Sequence, residues 1–151
     1  MAMRAVLFDM DGTLVDSEKV WSVGLTELAH HYGGELSDAA RKAMVGTNMT
    51  DSMRILHADL GLPTGKADTD GSVVDRTKPH PMPYLTAAGL VGADPAECVA
   101  VEDSPNGVTS ARAAGCAVLA VPCEVELDPE GVTLVESLLD VDVDYLRKLV
   151  P

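Results

Sequence analysis

The stretch Ala5-Val6-Leu7-Phe8-Asp9-Met10-Asp11-Gly12-Thr13 sets two carboxylates at the point where a short apolar run stops. Arg4 to Phe8 reads as a buried strand, bounded by a glycine-containing turn, with its C-terminal end at Asp9. If the extended conformation runs on through Asp11, period-two alternation points the side chains of Asp9 and Asp11 to one side. Two like charges so close are costly to bury, and a shared proton or a bound cation relieves them. Either makes the pair a chemical site, and Gly12 lets the chain turn sharply behind it.

The same pattern recurs farther along. Cys98-Val99-Ala100-Val101 is a second apolar run, and it ends in Glu102-Asp103. Ser104 can cap the helix that follows, Pro105 suits its first turn and Gly115 its C-terminal stop. Ala117 to Val121 forms a third strand, Thr133 to Val135 a fourth, and Val143 to Leu149 a closing helix. Strands alternating with helices imply an α/β fold around an open, mainly parallel sheet. Ligands of such sheets bind beyond the carboxyl ends of the strands, where Asp9, Asp11, Glu102 and Asp103 would gather.

Between the two acidic tips lies helical sequence. Asp16-Ser17 offers N-cap chemistry to a helix carrying Trp21, Leu25, Leu28 and Tyr32, which stops at Gly33-Gly34. Ser37 and Asp38 open a second helix with Ala40, Ala43 and Met44. Thr50 or Asp51 opens a third, with Met53, Ile55, Leu56 and Leu60, closed by Gly61. Residues 15–61 thus form a small helical insert able to cover the acids. From residue 62 to 77 the composition turns to Gly, Pro, Asp and Thr, a linker with only Val73-Val74 as a strand fragment. Lys78-Pro79-His80-Pro81 ends it, and Met82 to Leu90 is helical. Residues 1–14 and 78–151 then make one α/β core.

Bulk properties bound the function. A chain of 151 residues makes one core, and with 46% hydrophobic but only 3% aromatic residues that core is built from Val, Leu, Ala and Met. A net charge of −13 disfavours nucleic acid and anionic membranes as partners, and an anionic substrate needs a local cation. The N-terminus is no signal peptide, and no run approaches the roughly 20 apolar residues of a membrane span. Cys98, Cys116 and Cys123 stand at no metal-ligand spacing and read as reduced, buried thiols of a cytoplasmic protein.

Three or four carboxylates with oxygen ligands alone suit a hard cation such as Mg²⁺. A cation also lets a phosphate dianion approach a carboxylate, a repulsion of about 4 kcal/mol at 4 Å and intermediate dielectric. Lys78 supplies a second positive charge if its turn reaches the same sheet edge. His30, His31, His57 and His80 share no ligand spacing, and Met44, Met49 and Met53 read as packing. Asp140-x-Asp142-x-Asp144 opens like a calcium loop but lacks its glycine and terminal glutamate.

Asp9-Met10-Asp11-Gly12-Thr13, Lys78-Pro79 and Glu102-Asp103-Ser104-Pro105-Asn106-Gly107 resemble, in order, motifs one, three and four of the haloacid dehalogenase superfamily, in its β-phosphoglucomutase-like phosphatase branch. The resemblance implies a Rossmann-like core with a helical cap after the first strand. It implies that Asp9 is the nucleophile that forms an aspartyl-phosphate and that Asp11 is the general acid and base. Lys78 would neutralise Asp9 and the phosphoryl group. Asp9, the backbone carbonyl of Asp11, and Asp103 would hold Mg²⁺ with Glu102 beside them, and Asn106 would lie near the substrate.

The resemblance also exposes a departure. Members of this branch carry, between cap and lysine, more cap and two further core strands, one ending in a Ser or Thr that binds phosphate. Here Leu62 is followed almost at once by the lysine segment, with Thr69, Ser72 and Thr77 as the hydroxyls in that interval. Losing one oxyanion donor lowers turnover about 10²- to 10³-fold. It would also leave the first strand as a sheet edge through which two copies could pair. The first reading is therefore a Mg²⁺-dependent phosphomonoesterase for a small phosphorylated metabolite such as a sugar phosphate. The alternatives are a catalytically impaired remnant with a binding or assembly role, and a phosphosugar mutase. Trp21 and Met49, at positions where mutases handle substrate with His and Arg, disfavour the last.

Overall fold

In the computed structural model, residues 2–47, 49–63, 76–122 and 126–151 are described, apart from the side chains of Glu18 and Met49. The linker expected over 62–77 falls mostly outside them, as do Thr69, Ser72, Val73-Val74 and Cys123. The chain divides into two compact units, one drawn from Met1–Val15 and Val73–Pro151, the other from Asp16–Ser72.

The first unit is an α/β layer structure. Strands β1 (Ala5–Phe8), β2 (Cys98–Glu102), β3 (Ala117–Ala120) and β4 (Thr133–Leu134) form one sheet in the order β1-β2-β3-β4. All three pairings are parallel, and β1 is the outer strand of the described sheet. Every residue of β2 is buried, as a strand covered on both faces requires. Its even-numbered residues Cys98 and Ala100 share a core with Leu7, Tyr84, Ala88, Val108 and Ala111. Its odd-numbered Val99 and Val101 pack with Leu119, Leu146 and Val150 on the other face. Alternation thus assigns the faces, and it continues into the functional residues at the strand tip.

Two helices cover the first face. α4 (Met82–Leu90) buries Tyr84 and Ala88, and α5 (Pro105–Ala114) buries Gly107, Val108, Ser110, Ala111 and Ala114. Small residues bring α5 close to the sheet, which suits a core poor in aromatics. The ends of α5 follow the expected chemistry. Ser104 accepts a hydrogen bond from the Gly107 N–H at 3.1 Å, Pro105 occupies the first turn, and Gly115 ends the helix at φ 91°. The closing helix α6 is Val143–Arg147, capped by Asp142. A 3₁₀ turn over Pro95–Glu97, closed by a capping box between Asp94 and Glu97, leads into β2.

The second unit holds α1 (Glu18–His31), α2 (Asp38–Met44) and α3 (Met49–Asp59). Ala29, Leu36, Ala40, Met44 and Leu56 form its core, with Leu25, Leu28, Met53, Ile55 and Leu60 around them. Ser37 caps α2 and also ties it to α3, since its N–H and hydroxyl donate to the Asp59 carboxylate at 2.8 and 2.6 Å. The cap expected at α1 is corrected. Ser17 stands at the N-cap with helical dihedrals (φ −97°, ψ −6°) and makes no side-chain cap hydrogen bond. Capping needs an extended residue whose side chain folds back over the first turn, and that geometry is lacking here. Among the described residues no helix is long and apolar enough to cross a membrane.

Candidate active site

The register of β1 against β2 creates the site. Phe8 pairs with Val101, so Asp9, just past β1, and Glu102, the last residue of β2, stand side by side, and the Asp9 N–H donates to the Val101 carbonyl at 2.9 Å. Leu7 belongs to the face covered by α4 and α5, and alternation places Asp9 on that same face, as it does Glu102 after Ala100. The carboxylates of Asp9, Glu102 and Asp103 each offer an oxygen, all within 4.8 Å of one another.

Asp11 behaves differently from the expectation of a shared side. Extended structure ends at Phe8, and the chain then winds into a tight turn in which the Met10 carbonyl accepts from Leu14 and Val15, both at 2.9 Å. Gly12 takes φ 79°, and a Cβ there would run into the Asp103 carboxylate. The turn therefore breaks the period-two alternation. Asp11 is exposed, and its carboxylate is not a member of the three-residue cluster.

Glu102 is the buried centre, with no exposure at all. Its Oε1 accepts from the Tyr84 hydroxyl at 2.5 Å and from the Lys78 ammonium. Its Oε2 takes the Asp103 N–H and the Ser104 hydroxyl, each at 3.3 Å. Gly107 closes the pocket, because a Cβ there would overlap the carboxylate. A buried carboxylate with four donors, one of them the Lys78 cation, meets the requirement that buried charge be paired and hydrogen-bonded.

Lys78 reaches both tips, lying 2.5 Å from Asp9 Oδ1 and on Glu102. Burial works against its positive charge, but Glu102 and Asp9 outweigh burial and raise its pKa above the ordinary lysine value. The loop that carries it is pinned from beneath. Ser110, fully buried on α5, donates its hydroxyl to the His80 carbonyl at 2.6 Å. Burial and the charges of Asp9 and Glu102 push the Asp103 carboxyl up to about 6. Three acids thus share the one Lys78 ammonium, and an all-oxygen donor set of this kind fits Mg²⁺. Asn106 sits half-buried in the first turn of α5, and Thr77 is exposed beside Lys78.

The structure brings Asp9, Lys78, Glu102 and Asp103 together, and beside them Tyr84 and Ser110, which the sequence reading does not single out. Nothing adjacent to either in the sequence marks a polar partner. Their polar partners are fixed by the register of elements far apart in the chain.

A model of haloacid dehalogenase-like hydrolases matches residues 42–115, and another of the same description matches residues 6–63. Hexitol phosphatase A of Escherichia coli is 30% identical over 181 positions, covering 80% of this chain and 84% of the relative. The protein belongs to the haloacid dehalogenase-like hydrolases, in the branch of β-phosphoglucomutase and the hexitol phosphatases. Solved structures agree in fold. CbbY from Rhodobacter sphaeroides, crystallised with phosphate, superposes with a TM-score of 0.74 at 18% identity, covering 97% of this chain and 99% of that one. A β-phosphoglucomutase from Clostridium difficile gives a TM-score of 0.72 at 16% identity, covering 98% and 97%. The alignment with hexitol phosphatase A is longer than the 151-residue chain, so part of it has no counterpart here.

Proposed function

We propose that this protein is a Mg²⁺-dependent phosphomonoester hydrolase that works through an aspartyl-phosphate on Asp9. The supporting observation is the Lys78 ammonium at 2.5 Å from Asp9, at a sheet edge where Asp9, Glu102 and Asp103 converge. The substrate is a small phosphorylated metabolite, a sugar or sugar-alcohol phosphate, in keeping with the hexitol phosphatase relative. Free, buried Cys98 and Cys116 favour a reducing, cytoplasmic setting.

In this reading Asp9 and Asp103 hold the ion, joined by the Asp11 backbone carbonyl, and bound Mg²⁺ offsets the charge of carboxylates and phosphate together. Asp9 attacks phosphorus and the ester P–O bond breaks, while the Asp11 carboxyl gives its proton to the departing alkoxide. Asp11, now a carboxylate, takes a proton from water, and the resulting hydroxide displaces Asp9 from phosphorus. Phosphate leaves and Asp9 is regenerated. Lys78 spreads its charge over the Asp9 oxygen and the equatorial phosphoryl oxygens as negative charge shifts between them.

Phosphate release from a panel of hexitol, hexose and glycolate phosphates, with and without Mg²⁺, tests the assignment. Turnover that needs Mg²⁺ and prefers a hexitol or hexose phosphate is the expected result. Turnover independent of the metal refutes it. One observation favours a second reading, an impaired member that binds more than it turns over, namely the stretch of the hexitol phosphatase alignment that this chain lacks. Measurable Mg²⁺ affinity without turnover on any ester would select that reading.

A further inference from the structure

Lys78 and Glu102 come from different segments, and neither can hold the other in place alone. A lysine has four rotatable bonds, and the donors on Glu102 Oε2, the Asp103 N–H and the Ser104 hydroxyl, do not reach the ammonium's oxygen, Oε1. The third member of the group is Tyr84. It is buried on α4, its hydroxyl donates to Glu102 Oε1 at 2.5 Å, and the face of its ring lies 5.4 Å from Lys78 Nζ. The same carboxylate oxygen thus receives the phenol and the ammonium.

An ionised carboxylate can only accept, so the Tyr84 hydroxyl is the donor of this bond. The ring adds a cation–π attraction that favours the ammonium on one side of it. Removing the hydroxyl would leave Oε1 short of a neutral donor. Oε2 stays held by the Asp103 N–H and the Ser104 hydroxyl, but Oε1 and the ammonium on it lose the group that fixes them, and the ammonium shifts away from Asp9.

Resting on the phosphatase reading for its catalytic consequence, we propose that Tyr84 is a positioning residue. Its hydroxyl locks the Glu102 carboxylate, and through it the Lys78 ammonium, against the nucleophilic oxygen of Asp9. Tyr84 touches neither substrate nor metal in this assignment. It acts only through Glu102 and Lys78.

The test compares parent, Lys78→Ala and Tyr84→Phe proteins by two readouts. The first is a ¹H–¹⁵N correlation spectrum of the lysine ammonium groups without metal or substrate, the Lys78 peak being the one lost in Lys78→Ala. The parent shows that peak, because a held ammonium exchanges slowly, and Tyr84→Phe loses or shifts it while the amide spectrum remains folded. The second is turnover of p-nitrophenyl phosphate with Mg²⁺. Tyr84→Phe lowers kcat about tenfold with KM nearly unchanged, within the range that misplacing a reacting group costs. In a Lys78→Ala background the same substitution has no further effect.

A Lys78 peak absent from the parent, or unmoved in Tyr84→Phe, overturns the proposal, as does an unchanged kcat. A parent without turnover whose Lys78 peak still moves in Tyr84→Phe refutes the phosphatase reading and leaves the positioning role standing. Should Tyr84→Phe fail to fold, 3-fluorotyrosine at the three tyrosines of the chain must shift the Lys78 peak, and an unmoved peak overturns the proposal.

Discussion

Lys78 Nζ lies 2.5 Å from Oδ1 of Asp9, across 69 residues of sequence. The same ammonium also rests on Glu102, which has no contact with solvent. One cation thus joins the tips of β1 and β2, and its removal has two separable consequences.

One is the loss of turnover that follows from uncovering Asp9, and the other is a stability cost. Lys78→Met strips the buried Glu102 of its counter-charge, and breaking one side of a buried pair costs about 3–5 kcal/mol. Urea denaturation of the metal-free protein measures it. Adding Glu102→Gln to Lys78→Met should recover part of the loss, since the neutral amide no longer needs a cation. A double variant no more stable than Lys78→Met would contradict this.

Gly107 must stay without a side chain. Its Cβ would overlap the Glu102 carboxylate, and both are fixed, the first by the opening turn of α5 and the second by its donors. Gly107→Ala should cost about 1–3 kcal/mol, the usual range for overpacking. Thermal unfolding checks it, with Gly89→Ala as control, because a Cβ at Gly89 meets nothing within 4 Å.

Asp103 makes stability depend on pH in an unusual direction. Its carboxyl is raised to about 6 in the folded protein, above the ordinary aspartate value of 3.8. Between those values the folded state binds more protons than the unfolded one, so stability from this group is present at low pH and falls as pH rises through about 6. In chelator, Asp103→Asn should remove this slope between pH 4 and 6. Bound Mg²⁺ favours the ionised form, so the rise in Tm on adding Mg²⁺ should be larger at pH 7 than at pH 5. An equal rise at both would contradict the assignment of Asp103 as a ligand.

In the helical unit the sign is opposite. The hydrogen bonds from Ser37 lower the pKa of Asp59, so their contribution is present above the ordinary carboxylate range and is lost as pH falls through the lowered value. Ser37→Ala removes the hydroxyl bond to Asp59 and the α2 cap while keeping the N–H bond, the cap alone being worth about 1 kcal/mol. The difference between the variant and the parent in chemical denaturation should shrink below pH 4.

What was legible in the sequence follows from range. β1 and β2 could be read because each is an apolar run ended by acids, and α5 because Ser104, Pro105 and Gly115 punctuate it locally. Lys78 could be placed only through the family resemblance, since nothing near it in sequence points to Asp9. Tyr84 and Ser110 were invisible, because the partner of each hydroxyl is set by how α4 and α5 lie on the sheet. At Asp11 the backbone departs from the expected extended form for a local reason. The two-residue spacing presumes a strand, and the turn around Met10 and Gly12 begins one residue too soon. The Asp16-Ser17 cap failed similarly, through backbone dihedrals that composition does not report.

Phosphate release from p-nitrophenyl phosphate by the parent and by Asp9→Asn, each in Mg²⁺ and in chelator, bears most directly on the chemistry assigned to Asp9. The account predicts turnover for the parent in Mg²⁺ alone, and none for Asp9→Asn in either condition although it remains folded. An Asp9→Asn protein as active as the parent, or a parent equally active in chelator, would contradict it.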